Sequence, residues 1–525
     1  MAGTRLSARS CAARAGAAAL AALCMCTVAG AAAQGRQDFS EWTIYITNDN
    51  CPDYTWGYTE RQTRKSFADI VRGHLDEMNR TDEQEPHNRD RYNMAVTQEA
   101  LCFVEHYPQR KDELIRRIKE GRVYVSPYLC NSLWAFQSVE GAIRTFYPAR
   151  RLERQWGIRM DVAEHIELPS LPWGAASILA GCGIRWLSNP YYGYDSTFSG
   201  LENPPLFILE GPDGSTIRVV MDKWACSNAS YMQGKRLLAD PDSVTKRWLP
   251  HYAGAGKEYP LREILASGTH GDINPGSGGQ ASGFADAIIK FNARGGEHPK
   301  LVNATLPQFC EAVDNAQAKE PFLQTLRGCF GHSWDLWPVS LAKYVAAMRE
   351  GERRFLAAEA LLAVADDGNG RLREETRADR QRAEWCLAML SDHAWNGTND
   401  TNKRHNAELR RKWSEELNQL ADALLKRGWS GTGLERDNKW VTLFNGLSVS
   451  RRGLVRIERP GGISVTDADG KSVNCQVETE DAQDVLYFVS PQVTGFGFER
   501  LRLETGPAGG HNELLHVTET ELESP

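Results

Sequence analysis

The sequence predicts a multidomain protein with an N-terminal (β/α) barrel-like domain, a three-helix bundle and a partial C-terminal β-sandwich. Three observations predict this order. Strand-like and helix-like patterns alternate over residues 40–320, helical periodicity dominates residues 330–430, and short strand-like segments between turns fill residues 438–525. Alternation is typical of a parallel sheet covered by helices, and successive apolar stripes are typical of a helix bundle.

The length and composition are those of a folded globular protein. The chain has 525 residues, of which 41% are hydrophobic and 25% are charged, and these values exclude a disordered chain and a multi-span membrane protein. At about 150 residues per domain, the length fits roughly three domains. The net charge of −7 gives no general attraction to nucleic acid or to anionic membranes, so neither is an expected partner.

The N-terminus has the pattern of an export signal. Arg5, Arg9 and Arg14 precede an apolar, alanine-rich stretch at 15–30, and small residues suited to cleavage follow it. The stretch is short for a membrane span. We therefore expect residues 1–33 to be a signal peptide and the mature protein to be secreted or periplasmic, without a membrane span.

Cysteine usage is compatible with export. Nine of the 12 cysteines follow the leader, and no CxxC motif is present. Because nine is odd, at least one thiol is unpaired or has another role. Most of the nine lie in apolar runs, which is typical of buried core thiols.

The elements of each domain follow from residue patterns. Alternating β-branched and aromatic residues predict strands, and apolar residues spaced three and four apart predict helices. In the first domain, strands are predicted at 42–47, 123–125 and 184–188, helices at 95–120 and 175–180, and a hairpin turn at 212–214. Three helices are predicted between 335 and 427, and strands at 441–444, 454–457 and 485–489. These strands are too few for a complete sandwich, so we expect the last domain to be truncated.

The most informative polar segment is the loop at 48–56, directly after the first strand. It places Asp49, Cys51 and Asp53 in alternation. Ligands in α/β sheets and barrels bind at the carboxyl ends of strands, and thiolates and carboxylates both bind zinc. A solvated turn with local side-chain hydrogen bonds is the alternative interpretation.

Three further segments contain groups that could carry chemistry. Residues 163–174 place Glu164, His165 and Glu167 before a proline-containing turn, where a carboxylate could act as a nucleophile or ligand or simply cap a helix. His393 lies beside Trp395 at a predicted helix end, as a ligand or a structural histidine.

The third segment is the glycine-rich loop at 268–276, which contains His270 and Asp272. The loop lacks phosphate-loop spacing, so nucleotide binding is not expected. It could form a mobile wall of an active site or a surface excursion.

In this order, the segments resemble glycoside hydrolase family 38, the metal-dependent retaining α-mannosidases. The stretch CPDYTW at 51–56 resembles the family's His-x-Asp-Pro-Gly-Trp, and ELPSLPWG at 167–174 fills the place of its nucleophile turn. GHSWDLW at 331–337 resembles the start of its helical domain, and DHAW at 392–395 the stretch with its last zinc ligand. VTLFNGLSVS at 441–450 resembles its first C-terminal strand.

The resemblance implies an exported retaining glycoside hydrolase with one Zn²⁺ per chain and a carbohydrate substrate. It implies a nucleophile at Glu167 and substrate contacts from Trp56, to which we add Tyr54. Asp272 is our candidate for the acid/base, although no tight motif surrounds it. The implied metal ligands are Cys51, Asp53, Glu167 and His393.

Two residues depart from the family pattern, and they leave other functions open. Cys51 replaces the family's first histidine ligand, and Glu167 replaces its aspartate nucleophile, which indicates a divergent subgroup or a loss of activity. A metal-dependent sugar lyase with His165 or His270 as base is one alternative, and a non-catalytic glycan-binding protein is another. The sequence leaves the glycan, its linkage and the oligomeric state open.

Overall fold

The computed structural model describes residues 38–168, 170–190, 198–200, 203–222, 224, 233–268, 283–366, 368–434, 439–458, 463–480, 482–505, 516–517 and 522–523. The leader predicted at 1–33 and the candidate residues His270 and Asp272 lie outside these ranges. Among the helices in these ranges, none is both long and apolar enough to cross a membrane.

The first part of the chain alternates strands and helices, as the sequence predicts. Its strands are β1 (Thr43–Thr47), β2 (Tyr92–Met94), β3 (Val123–Val125), β4 (Val162–Glu164), β5 (Trp186–Ser188), β6 (Phe198–Gly200), β7 (Leu206–Glu210), β8 (Thr216–Val220), β9 (Glu263–Ser267), β10 (Lys300–Ala304), β11 (Gln324–Leu326) and β12 (Phe330–His332). Its helices are α1 (Glu60–Arg80), α2 (Thr97–His106), α3 (Lys111–Lys119), α4 (Val139–Arg144), α5 (Tyr147–Trp156), α6 (Ala175–Gly181), α7 (Gln233–Ala239), α8 (Pro241–Gly254), α9 (Phe284–Asn292) and α10 (Leu306–Lys319).

The principal strands of this part are parallel. Strand β1 pairs in parallel with β9 and β10, β2 pairs with β3, and β4, β5 and β8 are consecutive parallel neighbours in a five-stranded sheet. Strands β7 and β8 form the antiparallel hairpin predicted around residues 212–214, and β6 and β12 also pair antiparallel. The mixed α/β class is therefore confirmed, whereas closure of these sheets into a barrel stays a prediction.

Strand β1 fixes the edge at which the functional loops emerge. Its Ile44 and Ile46 are fully buried in a core that also contains Ile264 and Leu301 from the two neighbouring strands. Because the three strands are parallel and in register, Thr47 ends at the same level as the ends of β9 and β10. The polar loop after β1 therefore begins at the carboxyl edge of the sheet.

The second part is helical and consists of α11 (Ala342–Ala365), α12 (Arg371–Glu375), α13 (Arg377–Leu390) and α14 (Asp400–Gly431). Helices α11 and α14 approach closely, since a Cβ on Gly351 would lie 2.9 Å from Leu417. The stripe predicted on α14 is buried at Trp413 and Leu424. These residues share one hydrophobic core with Phe67 of α1, so the helical part and the first helices pack as one unit.

The third part contains β13 (Trp440–Phe444), β14 (Leu454–Glu458), β15 (Ile463–Thr466), β16 (Ser472–Val473), β17 (Cys475–Glu480), β18 (Gln483–Val489), β19 (Phe498–Thr505), β20 (His516–Val517) and β21 (Leu522–Glu523). Strands β13, β19, β15 and β16 form one antiparallel sheet, and β14, β18 and β17 form another. Val465, Leu486, Phe488, Leu501 and Leu503 form one small core between them, so the two sheets pack face to face.

Candidate metal and active site

The loop after β1 brings Cys51 and Asp53 together. The Cys51 thiol lies 3.3 Å from Oδ1 of Asp53, and both side chains are buried. Two residues later Thr55 has a φ of 69°, in the left-handed region. A β-branched residue rarely adopts this conformation, so the tertiary structure must hold the loop in this shape.

The segment after β4 supplies Glu167. This residue also has a left-handed φ, of 68°, and its N–H donates to the carbonyl of Pro190 over 2.7 Å. One ligand atom each from Cys51, Asp53 and Glu167 lies within 4.8 Å of the others, and all three side chains are buried. Left-handed backbone at non-glycine residues is a feature of functional sites, and here it accompanies the convergence of two carboxylates and a thiol.

The segment after α13 supplies His393. Its Nε2 lies 2.9 Å from Oδ1 of Asp53 and 3.5 Å from Oε2 of Glu167. Its Nδ1 lies 3.2 Å from the carbonyl oxygen of Asn131, to which an N–H at this position donates. In metal sites this arrangement fixes the ring and leaves Nε2 as the ligand atom. The four residues proposed from the sequence as ligands therefore meet in one place.

Burial and neighbouring charges shift the pKa values of two residues in this cluster, Asp53 and His393. Burial and the charge of Glu167 raise the pKa of Asp53. Burial alone would lower the pKa of His393, but the carboxylates of Asp53, Glu167 and Asp392 outweigh it and raise that pKa well above its ordinary value. Within the described part of the chain, no lysine or arginine forms an ion pair with Asp53 or Glu167. The buried carboxylates of Asp53 and Glu167 outnumber the one described basic side chain that pairs with them, His393, and a bound cation would offset this excess of negative charge.

The donor set fits a single divalent metal ion. It offers one sulfur from Cys51, one nitrogen from His393 and carboxylate oxygens from Asp53 and Glu167. Zinc in proteins takes four such ligands from cysteine, histidine, aspartate and glutamate. The Cys51 sulfur lies beside a carboxylate oxygen of Asp53, as two ligands of one ion would.

An aromatic wall, formed by Trp56, Trp334 and Trp337, stands beside these ligands. The rings of Trp56 and Trp337 stack at 5.4 Å and 8°, and those of Trp337 and Trp334 at 4.5 Å and 28°. Trp334 and Trp337 lie nearly parallel to the His393 ring, at 6.3 and 6.5 Å. All three indoles are partly exposed. The sequence singled out Trp56 alone, although the W-x-x-W spacing at 334–337 is a signal for the other two.

The structure places other candidate residues away from the ligand cluster. Tyr54 is only 1% exposed, packs at a tilted angle against Phe67 and Trp413 in the core, and donates to Oε1 of Glu60 over 2.9 Å. The prediction that Tyr54 contacts substrate is therefore wrong, because its ring is buried in the core and its hydroxyl is bonded to Glu60. Asp272 lies outside the described residues, so its assignment as acid/base stays a prediction.

His165 has a structural environment. It is fully buried, its Nε2 donates to the carbonyl of Ser132 over 2.7 Å, and its Nδ1 accepts from the Asn189 amide at 3.3 Å. Burial lowers its pKa to about 4, so the ring is neutral at pH 7. With both nitrogens engaged, His165 does not provide the base that the lyase alternative requires.

Asp49 and Glu164 belong to a second buried acidic group. The N–H of Gly268 donates to Oδ2 of Asp49 over 3.2 Å. Burial, together with the charges of Asp49 and Glu99, raises the pKa of Glu164 well above its ordinary value. The loop at 48–56 and the segment at 163–174 together contain four acids, of which only Asp53 and Glu167 join Cys51 in the cluster.

Comparison with known proteins finds similarity in structure alone. No protein-family model and no curated protein sequence matches this chain. An alpha-mannosidase from Enterococcus faecalis V583 matches with a TM-score of 0.64 and 14% identity, over 91% of this chain and 58% of that one. A protein in glycosyl hydrolase family 38 from Enterococcus faecalis matches with a TM-score of 0.62 and 13% identity, over 91% and 56%.

The chain thus spans less than three fifths of the length of these two proteins. Identity this low shows a shared fold. The resemblance predicted from the sequence is confirmed at that level: the chain has the fold of glycoside hydrolase family 38 structures, as a divergent family 38-like protein does.

Proposed function

We propose that this protein is an exported, zinc-dependent glycoside hydrolase that acts on α-mannoside-type glycans with retention of configuration. The observation that carries the proposal is the convergence of Cys51, Asp53, Glu167 and His393, from three separate loops, into one buried cluster. The fold shared with an alpha-mannosidase supports the reaction class. The aromatic wall supports a carbohydrate ligand, because small-molecule sites are mostly aromatic or apolar with a few placed polar groups.

Glu167 is the proposed nucleophile. Its carboxylate oxygen bonds to the anomeric carbon as the bond from that carbon to the leaving oxygen breaks, and the leaving oxygen takes a proton from a carboxylic acid. The same acid, proposed as Asp272, then accepts a proton from water as the water oxygen releases the sugar from Glu167. A retaining reaction requires the two carboxyl groups to be about 5–5.5 Å apart.

The cluster residues have a second task, which is to hold and orient the substrate. When bound, the metal would act as a Lewis acid toward sugar hydroxyl groups. Asp53 and His393 would hold it beside Glu167, and the His393 ring would keep its orientation through Asn131. The left-handed backbone of Glu167 fixes where its carboxylate starts, so the nucleophile needs little reorganisation.

The test is metal content of the purified mature protein by elemental mass spectrometry, for wild type, Cys51→Ala and Asp53→Ala. Cys310→Ala is the matched control, because Cys310 is an equally buried thiol in the core between β1 and α10. We expect about one zinc per chain in wild type and control, and loss in both site variants. Hydrolysis of an aryl α-mannoside, with the first product in the α configuration by NMR, tests the reaction.

Each alternative has its own outcome in the same experiment. If no sample holds stoichiometric metal after reconstitution with zinc, the hydrolase proposal fails and a glycan-binding role replaces it. If metal is present but the product is unsaturated and absorbs ultraviolet light without consumption of water, the protein is a lyase. Detection of the chain in the medium or periplasm, with loss of the first 33 residues, tests export.

A further inference from the structure

We propose that Asn406 is a positioning residue of this site: its side-chain amide bridges the loop that carries Asp53 and the loop that carries His393. The inference rests on the proposed metal site and names the residue that sets its geometry. Asn406 lies in the second turn of α14 and is fully buried. The side-chain hydrogen bonds of Asn406 go to Thr55, Asn396 and Arg410, so its effect on the proposed ligands passes through the two loops.

The amide of Asn406 is fully engaged between the loops. Its Nδ2 donates to the carbonyl oxygen of Thr55 over 3.0 Å and to that of Asn396 over 2.6 Å. Its Oδ1 accepts from the Thr55 hydroxyl and lies 3.5 Å from Nη1 of Arg410. An asparagine has two donors and two acceptor positions on its amide. Here all four are used, which fixes the orientation of the side chain.

The contact with Thr55 explains how the first loop keeps its shape. Thr55 is two residues from Asp53 and has the left-handed φ of 69°. Such backbone at a β-branched residue costs on the order of 1–3 kcal/mol and persists only where its surroundings hold it. Asn406 engages both the carbonyl and the hydroxyl of this one residue.

The second loop is held by the same face of the helix. Asn396 is three residues from His393, and Arg410, one turn beyond Asn406, lies 3.4 Å from Oδ1 of Asp392. The Arg410 guanidinium is fully buried between Trp395 and Trp413. Residues four apart on a helix lie side by side. One face of α14 therefore contacts both loops within three residues of Asp53 and His393.

Thr55 lies only two positions from Asp53, and Asn396 only three from His393, so the geometry of the cluster depends on the Asn406 amide. Asp53 Oδ1 and His393 Nε2 are 2.9 Å apart, although they lie 340 residues apart in the sequence. Partners that orient metal ligands typically change affinity by about 10- to 100-fold when they are removed. We therefore expect loss of the Asn406 amide to weaken metal binding before it affects the fold as a whole.

The experiment compares Asn406→Asp and Asn406→Ala with the control Asn418→Ala. The aspartate keeps the volume but presents a carboxylate to the carbonyls of Thr55 and Asn396. Asn418 lies on the same helix, where its amide donates to Ala347 and Ser414 and contacts neither loop. Zinc affinity is measured by chelator competition, and the thiolate-to-metal absorption of the cobalt form reports the ligand geometry.

Amide hydrogen exchange of the metal-free proteins is the second readout. We expect faster exchange in both loops of the Asn406 variants, including the N–H of Thr398 that donates to the Trp56 carbonyl. With zinc, we expect affinity about 10- to 100-fold weaker and an altered cobalt spectrum in these variants, and neither change in Asn418→Ala.

The two proposals fail in different ways. If wild type binds zinc and both Asn406 variants bind it as tightly, the positioning role is overturned. If wild type binds no zinc, the proposed function fails, and amide hydrogen exchange alone tests Asn406. Unchanged exchange in both loops of the Asn406 variants overturns its positioning role, and faster exchange there supports that role. Should Asn406→Ala not fold, the isosteric Asn406→Asp provides the same comparison.

Discussion

At the scale of single residues, the two departures from the family 38 pattern change two properties of the site. Cys51 changes the charge of the ligand set, and Glu167 changes the length of the side chain that carries the carboxylate. A thiolate at Cys51, with carboxylates at Asp53 and Glu167, would place three negative ligands around the proposed divalent ion. Softer and more donating ligands reduce the Lewis acidity that remains for a sugar hydroxyl. Glu167 is one methylene longer than the aspartate of the family pattern, so as the proposed nucleophile it would need a backbone that lies further from the reacting carbon.

Glu167→Asp tests whether this backbone is set for the longer side chain. We expect the shorter carboxylate to stop about 1 Å short and to lower kcat about 100-fold, while zinc content is kept. Glu167→Gln, which is neutral, should abolish turnover. Kinetics on an aryl α-mannoside, with metal content measured on the same samples, provide the check. An aspartate variant as fast as wild type would mean that the nucleophile's position is not set by side-chain length.

Glu99 makes stability depend on pH. It is fully buried, and burial raises its pKa from 4.5 to about 7, against the opposing effect of hydrogen bonds from Tyr92 and Asn50. Between these two values the folded chain binds more protons than the unfolded chain. The free energy of unfolding should therefore fall as pH rises from about 4.5 through 7, by on the order of 3 kcal/mol from this group.

The comparison of wild type with Glu99→Gln isolates this contribution. Glutamine stays neutral and has nearly the same shape, so its unfolding midpoint should fall less than that of wild type between about pH 5 and 8. Thermal unfolding followed by circular dichroism measures both. Parallel pH profiles for the two proteins would show that Glu99 has the same pKa in the folded and unfolded chains.

At the scale of elements, the aromatic wall is the surface that we propose contacts the sugar. Trp337 stacks on Trp56 and on Trp334, and its ring is not among the proposed ligand groups, so its removal should open the wall. We expect Trp337→Ala to raise KM about tenfold, equivalent to about 1.4 kcal/mol of lost binding, with zinc content unchanged. Trp173→Ala is the control, because Trp173 is 44% exposed and donates to the Glu210 carbonyl instead. Equal KM values for the two variants would show that the aromatic wall does not contact the substrate.

The sequence predicts the elements better than it predicts what their side chains contact. Strand β1, the hairpin of β7 and β8, and the apolar stripe of α14 follow from local periodicity, which depends on neighbouring residues alone. Tyr54 shows the limit: its motif position suggests a substrate contact, but its ring is buried against Phe67 and Trp413, which are distant in the sequence. The bridges from Asn406 and Arg410 could not be predicted, because they join residues about 350 and 18 positions apart.

At the scale of the whole molecule, the site joins two parts of the chain. Cys51, Asp53 and Glu167 follow strands of the α/β part, whereas His393 follows helix α13. The two parts already share the hydrophobic core around Phe67 and Trp413. The C-terminal sheets have a separate small core. A metal bound by ligands from both parts should therefore stabilise them together and leave the C-terminal sheets unaffected.

Scanning calorimetry with and without zinc tests this coupling. Binding to the folded state alone stabilises by about 2.7 kcal/mol at a ligand concentration of 100 Kd, and each kcal/mol raises Tm by about 2–4 °C in a domain of 150–250 residues. We expect zinc to raise the main transition by several degrees in wild type and in Cys310→Ala, and not in Asp53→Ala or His393→Ala. Because Asp53 and His393 belong to different parts, losing either one should remove the shift from the shared transition. A shift that survives in one of these variants would show that the metal binds within a single part, and the two-part site would then be wrong.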